Sequence, residues 1–382
     1  MTLVRDHRRP AASTMSASSP RRVCLAGSGV ALAPRHYTNG EVGERIGLDV
    51  DTIDRLVQRT GVVSRPFSWD LATEERLVTS DELAGQAARD ALTAAGLRPS
   101  DVDLVVTASS APDCLLPSQA ALVLQHLGVE RCAAISLFGG CSNFVDAIVV
   151  ARAFLLAGMA DTAVVTGAEA VSSYVPAMRT PFDAMIFGDA SGAFVLSSLA
   201  PPPGRHPVYE LEEAFLTTAS TIDGEPADVF RITTGDYRVA PKQVGPGPAT
   251  GVVDPRMTTW RPDIPDAHRP AHNARQALAG AVPGMLEAFY RVTGDTPEPG
   301  IVVPHQGSRA VIDGLAAALP AGWELIDNLA HRGNLSSASI PVAFHEHLDR
   351  CGAAENLVLT TVGVGLSFAA VRLRRVAGQE AP

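Results

Sequence analysis

From residue 23 onward the chain alternates short apolar runs with longer stretches in which apolar positions recur at helical spacing. "RRVCLAGSGVALAP" reads as a strand that ends in turn residues. "DTIDRLVQRTG" is charged and helical, and "SDELAGQAARDALTAAGL" is an amphipathic helix that Ser80 or Asp81 can cap and Gly96 can end. "DLVVTASS" follows as a short buried strand, "SQAALVLQHLG" as a helix and "CAAISL" as a strand. The apolar run from Asn143 to Leu156 predicts a buried helix, "DTAVVTGAE" a strand, and "FGDASGAFVLSSL" a turn and a strand.

The same order then repeats. "VYELEEAFLTTAS" matches the opening strand, "GIVVPHQG" matches "DLVVTASS", and "RAVIDGLAAALP" matches "SQAALVLQHLG". "WELIDNLAHRGNLSSASIPVAFHEHL" matches the strand and helix around Cys141, and "NLVLTTVGVG" matches "TAVVTGAEA". Ile301 follows Leu104 by 197 residues and Leu357 follows Ala163 by 194, so the offset is nearly constant. A duplicated strand–helix unit is the reading, with halves at about 23–200 and 201–377. Short apolar strands alternating with helices predict an α/β class with largely parallel sheets covered on both faces. Two such halves facing each other would bring matching helix ends together.

Two segments stand outside this pattern. Residues 1–22 are rich in Arg, Ser and Ala without an apolar core of a signal peptide, so a disordered extension is expected, with Met15 an equally good start. Residues 235–272 hold seven of the 28 prolines and predict an irregular surface excursion, whose Trp260 either packs on its own domain or helps cover a site.

Composition narrows the functional classes. A chain of 382 residues, 46% hydrophobic, buries a large core, and only 5% aromatic content leaves small residues to build it. The net charge of −10 argues against general nucleic-acid binding. Five cysteines with irregular spacing and no C-x-x-C speak against a disulfide framework or a zinc site, and a reducing cytoplasm fits. "FHEHL" at 344–348 lacks metal-site spacing and reads as a solvated helix surface. No metal and no membrane span are expected.

Cys141 has the most suggestive position. It follows Gly139 and Gly140, which permit a tight turn, and stands in front of the buried helix. Free N–H groups at a helix start favour a thiolate, lower the thiol's usual value and can receive an oxyanion. Cys24 and Cys132 read as inert strand residues, Cys351 as a helix-end residue and Cys114 as a loop residue that could line a pocket. A thiolate nucleophile needs a partner. His305 ends the strand "GIVVPHQG", the edge at which parallel sheets place their sites. Asn334, in "HRGNLSSASIP", occupies the place in the second half that Cys141 occupies in the first. An internal two-fold would bring the three together.

These residues carry a resemblance to the β-ketoacyl-acyl-carrier-protein synthase III family of the thiolase superfamily, over about Val23 to Arg374. Its marks are "RTGV" at 59–62, "ASSAPDCLLPS", the Cys141 segment, "IFGDASGAFVL" at 186–196, "VPHQG" at 303–307, "HRGNLSSASIP" at 331–341 and "GVGLSFAAVRLR". The resemblance implies a thiolase-like fold, two duplicated halves in a layered α-β-α-β-α sandwich. It implies that Cys141 is the acylated nucleophile and that His305 and Asn334 stabilise an enolate formed by decarboxylation of a malonyl thioester. The backbone N–H groups of Cys141 and Val364 would form the oxyanion hole, and Leu116 would shape the acyl pocket across a homodimer interface. Substrates would be acyl-coenzyme A or acyl-carrier-protein thioesters, with no permanently bound cofactor. Gly188 and Asp189 would fix the floor of the site.

The sequence also departs from the family. Val364 stands where a glycine is common, and Arg55 replaces the aromatic residue that stacks on the coenzyme A adenine. The arginine partner of that residue is displaced, with Arg179 two positions away. The helix after His305 carries only Arg309 for docking an acidic carrier protein. Together these point to specialised biosynthesis rather than housekeeping fatty-acid initiation. Four functions follow: a decarboxylating condensing enzyme, an acyltransferase to a hydroxyl or amine with His305 as general base, a non-catalytic scaffold, and a thiol hydrolase.

Overall fold

The computed structural model describes residues 21–376, apart from 115, 173–180, 200–206, 223–224, 227–229, 232–270 and 273. Ten strands form one sheet: β1 (Cys24–Leu32), β2 (Leu104–Ser109), β3 (Ala133–Phe138), β4 (Thr162–Glu169), β5 (Ala190–Ser197), β6 (Tyr209–Thr218), β7 (Gly300–Pro304), β8 (Trp323–Leu325), β9 (Asn356–Gly363) and β10 (Ser367–Arg375). Their spatial order is β8-β7-β9-β10-β6-β1-β5-β4-β2-β3. Read outward from the centre, β6-β10-β9-β7-β8 repeats β1-β5-β4-β2-β3, so the duplication seen in the sequence is also a duplication of topology.

The register agrees with it. Leu104 pairs with Ala163 in the first half, and Ile301 pairs with Leu357 in the second. The seam between the halves is short: Cys24 opposite Glu210 and Leu25 opposite Tyr209.

The strands alternate their faces, as a pleated sheet requires. Leu104, Val106 and Ala108 of β2 join Ile301, Val303, Leu357 and Leu359 of the second half in one buried cluster. Two helices fill the space between the half-sheets, α4 (Asn143–Leu156) and α7 (Ser339–Glu346). Phe144, Ile148, Ile340 and Phe344 enter the same cluster from them. Ring centroids of Phe144 and Phe194 lie 5.1 Å apart, and those of Phe194 and Phe344 5.0 Å, both edge-on. On the outer faces, α2 (Ser80–Ala94) and α3 (Gln119–Leu127) cover the first half, and α5 (Ala274–Thr293) and α6 (Arg309–Ala318) the second. The result is five layers, α-β-α-β-α, and α2 meets its sheet through Ala84, Ala87, Ala88 and Ala91, which accounts for the small-residue composition.

Three expectations change. The sheets are mixed rather than largely parallel: β2, β3 and β4 run parallel, as do β7, β8 and β9, but β5 and β10 are antiparallel to their neighbours. Only Val364–Leu366 joins β9 to β10, too short for a crossover. Helix α2 is capped by Thr79, whose side chain takes the Glu82 N–H while Glu82 answers the Thr79 N–H. That reciprocal box contributes about 1 kcal/mol, and Ser80 lies inside the helix. Cys132 precedes β3 and is half-exposed.

Of the expected N-terminal extension, residues 1–20 lie outside the described residues, while Arg21 pairs with Asp161 at 2.8 Å and Arg22 with Glu210 at 3.2 Å. The proline-rich excursion, with Trp260, lies outside them too, except Ala271–His272, which pairs with Phe230–Arg231. Among the described residues no helix is long and apolar enough to cross a membrane.

Candidate active site

Strand β3 ends at Phe138, and Gly139 and Gly140 turn the chain into Cys141 and Ser142 before α4 begins at Asn143. Gly140 is required here: a Cβ on it would stand 2.4 Å from Val364 Cγ2 and 2.9 Å from the Val364 nitrogen. The turn after β9 therefore lies against the Cys141 turn, and the two backbones adjoin. Thr361 of β9 strengthens the contact, its hydroxyl donating to the Cys141 carbonyl at 3.3 Å. This is how Val364, from the end of the second half, reaches the Cys141 segment of the first.

The thiol itself departs from expectation. Burial pushes Cys141 up to about 11, and the negative charge of Glu169 pushes the same way. The Ser336 hydroxyl and the residue's own N–H favour the thiolate but do not outweigh desolvation. Only Ser142 lies between Cys141 and the first residue of α4, so the helix-end field reaches the thiol without outweighing its burial. The remaining cysteines are also raised, Cys24 to about 11 and Cys351 to about 12, so position rather than acidity sets Cys141 apart.

His305 follows β7 and is 3% exposed. Its N–H donates to the Thr360 carbonyl at 2.9 Å, next to the residue that holds Cys141. Burial lowers its imidazole to about 4, with the Ser336 backbone pulling weakly in the other direction. The ring is neutral near pH 7.

Asn334 is held by its backbone and its side chain. Its N–H donates to the Ile186 carbonyl at 2.8 Å, and its carbonyl accepts from Gly188 N–H at 3.1 Å, so "IFGD" forms the floor beneath it. Asp189 fastens that floor, accepting the N–H groups of Ser68 and Ser172 at 2.8 Å each. The Asn334 Oδ1 accepts from Ser336 N–H at 2.8 Å, and Nδ2 donates to the Gly307 carbonyl at 3.3 Å. A backbone N–H can only donate, so the amide orientation is fixed with Nδ2 as the donor end.

The contacts close a ring. Cys141 touches Thr361, Thr360 touches His305, Gly307 follows His305 and touches Asn334, and Asn334 touches Ser336, which returns to Cys141. The three residues singled out from the sequence are thus linked to one another, although they come from three connections in two halves.

Glu169, at the end of β4, was not among them. It is fully buried and accepts from Ser109 Oγ, the N–H and Oγ of Ser110, Ala111 N–H, and the N–H and Oγ of Ser337. Gly167, two residues before it, allows this: a Cβ there would stand 2.3 Å from the Ser337 carbonyl oxygen. Burial raises the Glu169 carboxyl while its donors pull it down.

The remaining sequence candidates are less central. Leu116 is 86% exposed. Arg55 is exposed on α1 (Val50–Thr60) and donates to Thr52 Oγ1 at 2.8 Å. Arg179 lies outside the described residues. Arg309 is already paired, with Asp327 at 2.7 Å and Asp313 at 3.3 Å. The "FHEHL" segment is not simply a solvated surface: His345 is half-buried, with Nδ1 2.9 Å from Ser28 Oγ, because α7 lies between the half-sheets.

Comparison with known proteins places this geometry. The sequence profile described as 3-oxoacyl-[acyl-carrier-protein (ACP)] synthase III matches residues 137–206, and its C-terminal counterpart matches 296–375. The β-ketoacyl-[acyl-carrier-protein] synthase III of Rhizobium meliloti is 31% identical over 359 residues, 92% of this chain and 99% of its own. That of Neisseria meningitidis serogroup A is 30% identical over 356 residues, 92% of this chain and 98% of its own. The crystal structure of 3-oxoacyl-(acyl carrier protein) synthase III from Pseudomonas aeruginosa superposes with a TM-score of 0.72 at 25% identity, covering 93% of this chain and 98% of that one.

Proposed function

The chain belongs to the 3-oxoacyl-[acyl-carrier-protein] synthase III family and has its thiolase-like fold, and on that premise we propose that it catalyses a decarboxylative condensation in two stages at Cys141. In the first, Cys141 Sγ attacks the carbonyl carbon of an acyl thioester, and the donor thiol leaves with a proton. In the second, a malonyl-type thioester loses carbon dioxide. The electron pair of the broken C–C bond becomes an enolate, which attacks the acyl carbon and releases the cysteine thiolate, and the thiolate takes a proton from solvent. The N–H groups of Cys141 and Val364 hold the oxyanion of each tetrahedral intermediate.

The observation that carries this reading is the closed ring of contacts that joins Cys141 to two neutral donors. A neutral imidazole and the Nδ2 end of an oriented amide suit a developing enolate, which gains charge as carbon dioxide departs. An imidazole lowered to about 4 is a weak general base, so transfer to a hydroxyl or amine, the competing reading, loses its base.

Acyl thioesters of coenzyme A or a carrier protein are the substrates of this reading. Neutralised Arg309, Val364 in place of glycine and exposed Arg55 favour a specialised biosynthetic role. A homodimer is part of it: β3 is an edge strand with Ala133, Ala134 and Phe138 exposed, and an apolar edge of this kind calls for a partner.

Intact-mass measurement with acyl-coenzyme A thioesters tests the first stage: the wild type gains one acyl group and Cys141→Ala gains none. A malonyl thioester then yields carbon dioxide and a product longer by two carbons. A mass gain that survives Cys141→Ala, or a product that keeps the malonyl carboxylate, overturns the assignment.

A further inference from the structure

A thiol at about 11 is almost entirely protonated near neutral pH, so attack on a thioester has to shed a proton. The titratable groups that face it are His305, which is buried and neutral, and Glu169; Asp146 bears only on Ser142, one residue along. Glu169 does not touch the sulfur, but two hydroxyls join them. The Ser336 hydroxyl favours the Cys141 thiolate, Ser336 Oγ lies 3.1 Å from Ser110 Oγ, and Ser110 Oγ donates to Glu169 Oε2 at 2.8 Å. With thiol and carboxylate at its ends, every link can point the same way, S–H to hydroxyl to hydroxyl to carboxylate. Ser336 and Ser110 are 226 residues apart in the chain, so the fold, not local sequence, lines them up.

We propose that Glu169 takes up the Cys141 proton through Ser336 and Ser110 as the sulfur attacks, and returns it to the departing thiol. As the S–C bond forms, the S–H proton passes to Ser336 Oγ, the Ser336 proton to Ser110 Oγ, and the Ser110 proton to Glu169 Oε2. Both serines end as hydroxyls. When the tetrahedral intermediate collapses, the bond from carbon to the donor sulfur breaks, and the proton runs back from Glu169 to that sulfur. No co-reactant is needed. Ser336 touches the reacting atom; Ser110 and Glu169 act through it.

This rests on Cys141 being the acylated residue, and two arms separate the claims. The first measures single-turnover acylation of the full chain by an acyl-coenzyme A, read by intact mass, at pH 7.0 and 9.5. Ser110→Ala interrupts the path but leaves Glu169 its other donors. It should acylate at least tenfold more slowly at pH 7.0, with a smaller deficit at pH 9.5, where hydroxide removes the thiol proton directly. Ser110→Thr should restore the rate. In mixtures of light and heavy water the wild type should give a curved proton inventory and Ser110→Ala a linear one. Ser110→Ala at the wild-type rate, or a deficit equal at both pH values, overturns the relay.

The second arm needs no thioester: alkylation of Cys141 by iodoacetamide at pH 7.0. If Glu169 acts only by its charge, Glu169→Gln speeds alkylation, because the charge opposes the thiolate. If Glu169 accepts the proton, the same substitution slows alkylation and steepens its rise with pH. Faster alkylation overturns the relay even if no thioester acylates the protein, an outcome that by itself removes only the condensation reading.

Discussion

The neutral state of His305 has a measurable cost in acid. The imidazole lies near 4 in the folded chain against an ordinary 6.5, so its folded value is the lower one. Above pH 6.5 both states leave the ring neutral and nothing changes. Between pH 6.5 and about 4 the unfolded chain binds a proton that the folded chain refuses, and stability falls as the pH falls. At 1.36 kcal/mol per unit the full window amounts to about 3 kcal/mol from this one residue. His305→Gln keeps a neutral hydrogen-bonding side chain and cannot titrate. It should therefore lose less stability than the wild type between pH 7.5 and 4.5, by about 2.5 kcal/mol. For a chain of this length that corresponds to roughly 3–4 °C in the difference of the two Tm shifts. Thermal unfolding of both proteins across this range, compared as a difference of differences, cancels the other titrating groups. Parallel curves would show that the ring titrates in the fold as it does in the unfolded chain, and a wild type less sensitive to acid that the fold holds the proton more tightly. Either result would remove the depression on which the case against general-base acyl transfer rests.

Two further outcomes follow from the same geometry. Gly140→Ala puts a methyl group 2.4 Å from Val364 Cγ2 and 2.9 Å from the Val364 nitrogen, which displaces one N–H of the oxyanion site; turnover should fall about 10²–10³-fold while Cys141 still alkylates with iodoacetamide. Unchanged turnover would remove Val364 from that role. Phe138→Asp places a charge on the exposed edge of β3 and should shift the protein to a monomer in sedimentation; a persistent dimer would place the interface elsewhere.

The duplication could be read from the chain because each half repeats both the order and the spacing of its elements, and the Leu104–Ala163 and Ile301–Leu357 pairs carry that spacing into the sheet. Asn334 was visible for the same reason, as the counterpart of Cys141. The thiol's direction was not visible. A helix start is a local feature, while the burial that raises the thiol comes with tertiary packing such as that of Val364 against Gly140, which arrives from far along the chain. Glu169 itself left a signal that periodicity does not weigh: it is the one acid in β4, a strand buried at every residue, and a carboxylate there cannot stand without donors. The antiparallel course of β10 also had a local sign, the three-residue connection after Gly363, which rules out a crossover.

Ser336 holds its backbone at φ 48°, a region that costs a residue with a Cβ about 1–2 kcal/mol. Folding alone would install glycine there. A serine instead keeps an oxygen on the proposed proton path, so hardening this protein by placing glycine at that torsion would strip out the hydroxyl the relay needs.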